Sequence, residues 1–353
     1  MNILFLTKYG QLGASSRYRF YQFFDGYKAN GLVFDCSPFF NDRYLQSKYK
    51  SKKAPIGWVL WAFLKRFLVL FTVFRYDLVV IEKELFPYFP AWPERLLSLL
   101  GKKYIVDYDD ALFHQYDQHS SKWIRRFLGN KIAKVMRYSS LVIAGNRYLA
   151  DYASRAGAKK ISIVPTVIDL SRYPKQYTQT INEKLVIGWI GSPSTVKYVH
   201  DLIPVFEKLY QKTPFVLHIV GADFEFNVGF EFKSIKWFEE TEVQEIQKFD
   251  IGIMPLPDSP WERGKCGFKL IQYMGCSKPV VASPVGVNTQ IVKNGINGYL
   301  AYNYEDWESY LLTSLKDCKT NMSMGLHARQ LIEGKYCIDA VIGFQLKNLS
   351  EMN

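Results

Sequence analysis

The amino-acid sequence predicts an α/β protein in which two doubly wound, Rossmann-like domains face a central cleft. Two observations carry this prediction. Short apolar runs alternate with longer amphipathic stretches, and the alternation starts a second time at Lys184. Such alternation is typical of βαβ units around a parallel sheet. The length of 353 residues also suits two domains of roughly 100–200 residues each.

Each predicted domain opens with a strand, a Gly/Ser-containing turn and a helix. In the first domain this unit is Ile3–Thr7 followed by Gly10–Ser16, and in the second it is Lys184–Ile190 followed by Gly191–Thr195. The predicted strands of the first domain are Asn2–Leu6, Leu32–Asp35, Leu78–Ile81, Tyr104–Val106, Leu141–Ala144 and Ile161–Val164. Those of the second are Lys184–Ile190, Phe215–Val220, Ile251–Met254, Pro279–Ala282 and Gly298–Ala301, with a helix from about Asp306.

These boundaries give an N-terminal Rossmann-like domain over 1–175 and a C-terminal Rossmann-like domain over 183–335. The polar stretch Ser171–Asn182, which contains Pro174, is the expected linker. Residues 336–353 form a tail that we expect to pack back on the N-terminal domain.

Composition narrows the class of partner. The formal net charge of +12 favours anionic partners such as nucleotide phosphates or acidic lipids. No zinc-finger spacing or aromatic RNA-binding signature occurs, so nucleic acid is not expected. The five cysteines are odd in number and scattered, which is typical of a reducing cytoplasm and a poor basis for disulfides. The N-terminus has no secretory signal pattern.

One stretch, Ala54–Phe74, resembles a membrane segment. Lys65 and Arg66 interrupt it near its centre, and each charge at mid-bilayer costs roughly 2.5–3.5 kcal/mol, so a transmembrane helix is rejected. Two interpretations stay open: a core helix that covers the sheet, and an interfacial helix bound to the inner membrane face. The second is favoured by the upstream cations Lys48, Lys50, Lys52 and Lys53.

The most informative segment is Trp261–Gly286. Two glycines, Gly264 and Gly267, flank a short loop just before a predicted helix, and Lys269 lies in the first turn of that helix. A helix N-terminus offers unpaired N–H groups and a partial positive charge to an anion, whereas a cation there is disfavoured unless it has a use. The pattern is consistent with diphosphate binding; a solvated lysine beside a loop is the simpler alternative.

At this point the sequence resembles the GT-B glycosyltransferases of family 4. Lys269–Met274, Ser277–Gly286 and Asn294–Leu300 are similar to the nucleotide-sugar-binding segment of that family. Further similar segments follow in family order: Ser15–Arg19, Val106–Phe113, Ile143–Ala153, Val164–Leu170 and Ile187–Val199.

The resemblance implies a metal-independent hexosyltransferase of polysaccharide biosynthesis that transfers a sugar from a nucleotide donor with retention at the anomeric carbon. It implies that the domain over 1–175 binds a glycan or lipid-linked acceptor, that the domain over 183–335 binds the nucleotide sugar, and that no cofactor is needed. The candidate donor-binding residues are Gly13, Arg17, Arg19, Gly191, Ser192, Lys197, Lys265, Cys266, Gly267, Lys269, Leu270 and Gln272. The histidines form no ligand-spaced cluster, which agrees with the absence of a metal.

The sequence departs from the family pattern at two positions. The family carries two glutamates eight positions apart, and here Gly264 and Gln272 occupy those places. The amide oxygen of Gln272 can still accept a hydrogen bond from a ribose hydroxyl. Gly264 cannot replace the glutamate near the transferred sugar, and Glu262 is the candidate substitute.

In the first domain, acidic residues follow the fourth predicted strand. Asp109 or Asp110 is a candidate to accept the proton of the acceptor hydroxyl, with a helix cap or loop carboxylate as the alternative. Of Arg17 and Arg19, one is expected to face the diphosphate and the other to pack. Glu82 and Lys83, at the end of the third strand, are further candidates to line the cleft.

Three other functions fit the sequence less well than transfer. A sugar-nucleotide epimerase of the same fold should keep paired acidic and histidine residues, which are not evident. A dinucleotide oxidoreductase requires G-x-G-x-x-G directly after the first strand, where this chain has Lys8, Tyr9 and Gly10. A non-catalytic nucleotide-sugar-binding protein is motivated by Gly264 and Gln272.

Overall fold

The computed structural model describes residues 1–49, 55–175, 184–224 and 227–352. The chain divides into two compact units. The first unit comprises Met1–Thr166, Gly264–Cys266 and Val341–Asn353. The second comprises Val167–Arg263 and Gly267–Ala340. Part of the expected linker, residues 176–182, lies outside the described residues, and the predicted domain boundaries stay predictions.

The first unit is built around a six-stranded parallel sheet in the order β2-β1-β3-β4-β5-β6. Its strands are β1 (Asn2–Leu6), β2 (Val33–Cys36), β3 (Leu78–Glu82), β4 (Tyr104–Tyr108), β5 (Leu141–Ala144) and β6 (Ile161–Ile163). Its helices are α1 (Ala14–Arg19), α2 (Phe24–Ala29), α3 (Asp42–Tyr49), α4 (Ile56–Leu70), α5 (Trp92–Leu99), α6 (His114–Asp117), α7 (Lys122–Leu128), α8 (Lys131–Tyr138) and α9 (Arg147–Arg155). β1, β3, β4 and β5 are almost wholly buried, as continuous apolar runs in a parallel sheet require.

The second unit contains another six-stranded parallel sheet, in the order β12-β11-β10-β7-β8-β9. Its strands are β7 (Leu185–Ile190), β8 (Phe215–Val220), β9 (Glu231–Ile235), β10 (Ile251–Met254), β11 (Val280–Ala282) and β12 (Gly298–Leu300). Its helices are α10 (Lys197–His200), α11 (Ile203–Lys212), α12 (Glu242–Gln247), α13 (Pro260–Arg263), α14 (Phe268–Gly275), α15 (Asn288–Ile291), α16 (Tyr304–Lys316) and α17 (Cys318–Lys335). A last helix, α18 (Ile338–Ser350), belongs to the first unit from Val341 onward. Two parallel sheets covered by helices confirm the predicted fold class.

The sequence analysis did not predict strand β9. β9 is the edge strand of the second sheet, pairs only with β8 and exposes most of its side chains. An edge strand does not need the apolar run that marks a buried strand, because one of its sides faces water. The sequence Glu231–Ile235 therefore carried no periodic signal.

The apolar stretch of the first unit forms α4, and its two charges lie in different surroundings. Arg66 is buried and its Nη2 donates to the carbonyl oxygens of Thr7 and Ser37, at 2.9 and 3.0 Å. Lys65 is exposed. Within the described parts of the chain, no helix has the length and apolarity needed to cross a membrane. Lys50, Lys52, Lys53 and Ala54 lie outside those parts.

Candidate functional site

The two sheets locate a ligand-binding edge in each unit. In open parallel sheets, ligands bind beyond the carboxyl ends of the strands, at the point where the strand order reverses. In the first sheet this switch point lies between β1 and β3, and in the second it lies between β7 and β10. The sequence-predicted residues can therefore be judged by whether they lie at these two edges.

In the second unit, α14 is fixed at the switch point by Tyr273. Its hydroxyl accepts a hydrogen bond from the backbone N–H of Ile190, the last residue of β7, at 3.0 Å. Its ring packs so closely on Gly252 of β10 that a Cβ at that position would lie 2.4 Å from the ring. A glycine on β10 thus lets the helix span the carboxyl ends of both strands.

This placement brings Lys269 and Gly191 together. The Nζ of Lys269 lies over the ring of Trp189, 4.7 Å from its centroid, which is a favourable cation–π distance. A Cβ on Gly191 would lie 2.5 Å from the Trp189 ring and 3.0 Å from Cε of Lys269. Gly191 therefore leaves room for the lysine at the end of β7, and Lys269 is half-buried rather than extended into solvent.

The N-terminus of α14 has the expected glycine geometry. Gly267 precedes the helix with φ +67, a left-handed conformation that glycine adopts without strain. The first-turn N–H groups of a helix have no intrahelical acceptor, so this end can bind an anion. The side chain of Leu270 is fully buried, so only its backbone N–H can contribute to such a site.

Sequence reasoning missed Gly221, which follows β8. Its φ is +89, and a Cβ there would lie 2.3 Å from the carbonyl oxygen of Gly191. The backbones after β7 and β8 thus approach each other as only glycine allows. A glycine directly after a predicted strand was the available signal.

Glu262 is buried on α13 and held by two hydroxyls. Tyr198 donates to Oε1 at 2.5 Å, and Ser259 donates to Oε2. Both carboxylate oxygens of Glu262 are therefore already engaged.

Two other candidates lie near Tyr198 in the sequence. Lys197 places its Nζ over the Tyr198 ring at 5.2 Å from the centroid. Ser192 is exposed, and its carbonyl oxygen accepts the N–H of Thr195.

Gln272 is also buried, and its Nε2 is used within the second unit. It donates to Oε1 of Glu242 at 2.8 Å and to the hydroxyl of Tyr173 at 3.3 Å. These bonds fix the amide so that Nε2 faces protein groups. Its Oε1 accepts no hydrogen bond from the described residues, which leaves that oxygen available as an acceptor.

In the first unit, three candidates form one charged cluster. The Nζ of Lys83 lies 2.7 Å from Oδ1 of Asp109 and 3.6 Å from Oδ2 of Asp110, and the hydroxyl of Ser15 donates to Oδ2 of Asp109 at 2.5 Å. Burial alone would raise the pKa of Asp109, but the Lys83 charge and the hydrogen bonds from Lys83 and Ser15 lower it to about 2. A carboxylate with so low a pKa is a weak base. Asp110 is more exposed and is therefore the better placed of the two to meet an acceptor hydroxyl.

The backbone of Lys83 is held in an unusual conformation. Its φ is +66, which is uncommon for a residue with a side chain. Its N–H donates to the carbonyl oxygen of Asp107 at 3.0 Å, and its carbonyl oxygen accepts the Tyr108 hydroxyl at 2.6 Å. Strain of this kind persists where the surroundings over-determine it, and it is frequent at functional sites.

The other first-unit candidates position α1. Arg19 pairs with Asp107 through two bonds at 2.8 and 2.7 Å and also donates to the carbonyl oxygen of Val164. Of the two arginines, Arg19 is thus the one that packs. Arg17 is buried and lies over the Tyr18 ring, 4.8 Å from its centroid. Gly13 precedes α1 so close to Tyr9 that a Cβ would lie 2.4 Å from that residue's Cβ.

Glu82, the last residue of β3, joins the same end of the sheet to α1. Its Oε2 accepts the backbone N–H of Lys8 at 2.7 Å and the hydroxyl of Ser16 at 2.6 Å. Glu82 is almost fully buried, and burial raises its pKa. Its position supports the loop after β1 rather than an open ligand surface.

The loop Gly264–Cys266 belongs to the first unit. The Asn146 amide donates to the carbonyl oxygens of Gly264 and Lys265 at 2.8 and 3.0 Å. The thiol of Cys266 donates to the carbonyl oxygen of Asp109 at 3.0 Å, and burial raises its pKa to about 12. Cys266 is therefore an uncharged packing and hydrogen-bonding group, and a donor-binding role of its side chain gains no support.

The same loop explains one departure from the family pattern. A Cβ at Gly264 would lie 2.4 Å from Cβ of Ala111 and 2.9 Å from its backbone nitrogen. The backbone of Ala111 cannot yield easily, so a side chain at position 264 is excluded by packing. The glutamate expected there has no space.

Across the described residues, no group of three or more His, Cys, Asp and Glu side chains is arranged to hold a metal ion. The predicted independence of metal stays a prediction.

Two parallel-sheet units of these topologies define the GT-B fold. Residues 184–317 match the sequence family described as glycosyl transferases group 1. The chain is 23% identical over 184 residues to N-acetyl-alpha-D-glucosaminyl L-malate synthase of Bacillus anthracis, and the match covers 49% of this chain and 47% of that protein. The chain thus spans about half the length of the curated relatives it matches.

Solved structures resemble nearly the whole chain. Anabaena Alr3699/HepE, crystallised with UDP-glucose, has a TM-score of 0.70 at 17% identity, covering 99% of this chain and 100% of that one. Sucrose-phosphate synthase of Thermosynechococcus elongatus has a TM-score of 0.73 at 15% identity, covering 100% of both chains. At these identities the likeness establishes the fold. The family match and the fold together support a group 1 glycosyltransferase of the GT-B class.

Proposed function

We propose that this protein transfers a sugar from a nucleotide-sugar donor to a glycan or lipid-linked acceptor, with retention at the anomeric carbon and without a metal. The observation that carries the proposal is the second-unit site, where Lys269, Gly191 and the N-terminus of α14 meet at the β7–β10 switch point. This site lies within the segment that matches the glycosyltransferase family. A UDP-sugar is the first donor to test, because a structural relative is described in complex with UDP-glucose.

The chemistry follows from charge. When the glycosidic bond to the donor phosphate breaks, negative charge grows on the leaving nucleoside diphosphate. The first-turn N–H groups of α14 and the ammonium of Lys269 stabilise that charge, and fixed donors of this kind lower the barrier. The amide oxygen of Gln272, which accepts no hydrogen bond from the described residues, can accept one from a ribose hydroxyl.

On the acceptor side, we assign Asp110 to the acceptor hydroxyl and Asp109 to the positioning of Lys83 and Ser15. Glu262 remains the candidate for the donor sugar. Because Tyr198 and Ser259 hold its carboxylate, its role is to fix the loop after β10 unless donor binding releases it.

The deciding experiment is a thermal-shift screen of the protein against UDP-, GDP-, CMP- and dTDP-sugars, followed by a transfer assay with the nucleotide that stabilises most. Binding raises the melting temperature by mass action. Transfer or donor hydrolysis supports an enzyme, and proton NMR of the product reports whether the anomeric configuration is retained. Stabilisation without any turnover would instead support the non-catalytic nucleotide-sugar-binding protein.

A further inference from the structure

The first unit carries an apolar groove of about 720 Å³ between α4 and α5. Phe63, Phe67 and Phe71 line one wall, and Trp92, Leu96 and Leu100 line the other. Every lining residue is Phe, Leu, Trp or Pro. This volume lies in the range of small-molecule sites, which is roughly 300–1,000 Å³, but the polar groups that usually orient a polar ligand do not line it.

The groove is open to solvent although its walls are apolar. Phe71 is 70% exposed, Trp92 is 68% exposed and Leu96 is 55% exposed. Apolar surface left in water costs about 25 cal/mol per Å², and contiguous exposed patches on monomers usually mark an interaction site. A hydrocarbon ligand fits these walls, because it has no polar group that needs a partner there.

The exposed charged side chains on the two helices that line the groove have one sign. They are Lys65 on α4 and Arg95 on α5. The acid on these helices, Glu94, is buried and accepts the backbone N–H of Leu85 at 2.9 Å. Cations beside exposed aromatic and aliphatic side chains are typical of surfaces that bind anionic bilayers.

Helix α7 of the same unit also combines cations, Lys122 and Arg126, with exposed aromatic rings. Trp123 and Phe127 of α7 stack with ring centroids 5.9 Å apart and are 72% and 65% exposed. They alternate with the cations of the same short helix. Aromatic side chains of this kind favour the boundary between water and lipid.

One short segment of chain joins a residue that lines the groove to the charged cluster of Lys83, Asp109 and Asp110. Phe86 lines the groove and lies three residues after Lys83, a distance of at most roughly 10 Å along the chain. Between them, Glu84 pairs with the buried Lys131 and accepts the Tyr116 hydroxyl. Lys131 also donates to the carbonyl oxygen of Phe86 at 2.5 Å. The backbone of Lys83 therefore lies within roughly 10 Å of one residue that lines the groove, which is within reach of a polar head group on a bound chain.

We propose that the apolar groove binds the hydrocarbon chain of a lipid-linked acceptor at an anionic bilayer surface. This inference rests on the proposed function for the identity of the head group, but binding of the chain does not depend on it. The groove would then select acceptors by their hydrocarbon chain, while Asp110 of the charged cluster contacts the acceptor hydroxyl.

The test uses n-alkyl glucosides of increasing chain length, below their micellar concentrations, titrated into the full-length protein by calorimetry. Wild type should gain roughly fourfold in affinity per methylene until the groove is full. Phe67→Asp and Leu96→Asp should abolish this dependence. Leu60→Asp lies on α4, like Phe67, but outside the groove, so this variant should keep the dependence on chain length. Urea unfolding of each variant confirms that it is folded.

No chain-length dependence in wild type, or an unchanged dependence in Phe67→Asp, would overturn the proposal. A second arm measures transfer to the same glucosides with the nucleotide sugar found above. Rates that rise with chain length in wild type and not in Phe67→Asp support an acceptor lipid. Chain binding with transfer rates independent of length overturns the acceptor assignment, and absence of all transfer counts against the proposed function alone.

Discussion

Lys83 and Lys269 are two lysines at the ligand-binding edges of two parallel sheets, and their surroundings differ in kind. Lys83 is buried and lies between the carboxylates of Asp109 and Asp110, in a left-handed backbone conformation. Lys269 is half-buried on a helix, over the aromatic face of Trp189 and beside a glycine. The Lys83 cation lies between protein carboxylates, whereas the Lys269 cation lies over an aromatic ring in the first turn of a helix.

The difference predicts that Lys83 contributes mainly to the stability of the fold and Lys269 mainly to ligand binding. A buried ion pair leaves an uncompensated charge when one partner is removed, so its loss is measured in unfolding. A cation at a helix N-terminus acts on an anionic ligand, so its loss is measured in binding. The two lysines should therefore fail in different assays.

The largest effect is expected from Lys83→Met. The substitution leaves Asp109 buried without its cation, and the free energy of unfolding should fall by about 3–5 kcal/mol in urea denaturation. Lys83→Met/Asp109→Asn should recover part of that loss, because the stranded charge is gone. Lys293→Met, at an exposed position, is the control. Equal stability of wild type and Lys83→Met would remove the distinction between the two lysines.

Lys269→Ala should weaken donor binding by about 1.5–3 kcal/mol, or roughly ten- to hundredfold, because a charge-assisted contact to the diphosphate is lost. Its effect on unfolding should be much smaller than that of Lys83→Met. Calorimetry with the nucleotide sugar measures the change, and Lys293→Ala is the matched lysine control. Donor affinity equal to wild type would disprove the assignment of Lys269.

Acid should destabilise the first unit through Asp109. Its pKa is lowered to about 2 in the folded protein, against an ordinary value of 3.8. A depressed pKa contributes stability that is complete above about pH 4 and is lost as the pH falls towards 2, here about 2 kcal/mol. Urea titrations across that range should show a smaller pH dependence for Asp109→Asn. An identical dependence in both proteins would mean that Asp109 does not titrate this way.

The smallest effect is expected from metal removal. If helix N–H groups and Lys269 stabilise the leaving diphosphate, sugar transfer should keep its rate in EDTA within about twofold. Loss of activity that Mg²⁺ or Mn²⁺ restores would place the charge compensation of the second site on a metal.

The fold was predictable because both sheets are parallel and buried. Strands such as β1, β3 and β8 must be continuous apolar runs, and each was found within a residue or two of its observed bounds. The edge strand β9 was missed because its exposed residues carry no such run. The dependence on burial thus explains both the success and the failure.

The candidate site was predictable only in part. The sequence shows which residues are close along the chain, but not which distant residues come into contact in the fold. The glycine before α14 and Lys269 follow from local pattern. The roles of Tyr273 and Asn146 depend on contacts between distant segments, and no local signal reveals them. The sequence shows Gly264 only as a departure from a family pattern. The structure gives the physical reason, which is that Ala111 leaves no room for a side chain at position 264.

The first unit is assembled from three separate stretches of chain, and this has a consequence for its biosynthesis. Val341–Asn353 completes it, with Asn348 donating to the hydroxyl oxygen of Ser162 at 2.9 Å and Ile342 packed so closely on Gly26 that a Cβ there would lie 2.3 Å from it. A ribosome delivers that segment only after the whole second unit has been made. Domains generally fold as units during synthesis, from the N-terminus onward. The N-terminal unit therefore gains these contacts only after the second unit has been synthesised, so the second unit can finish folding first.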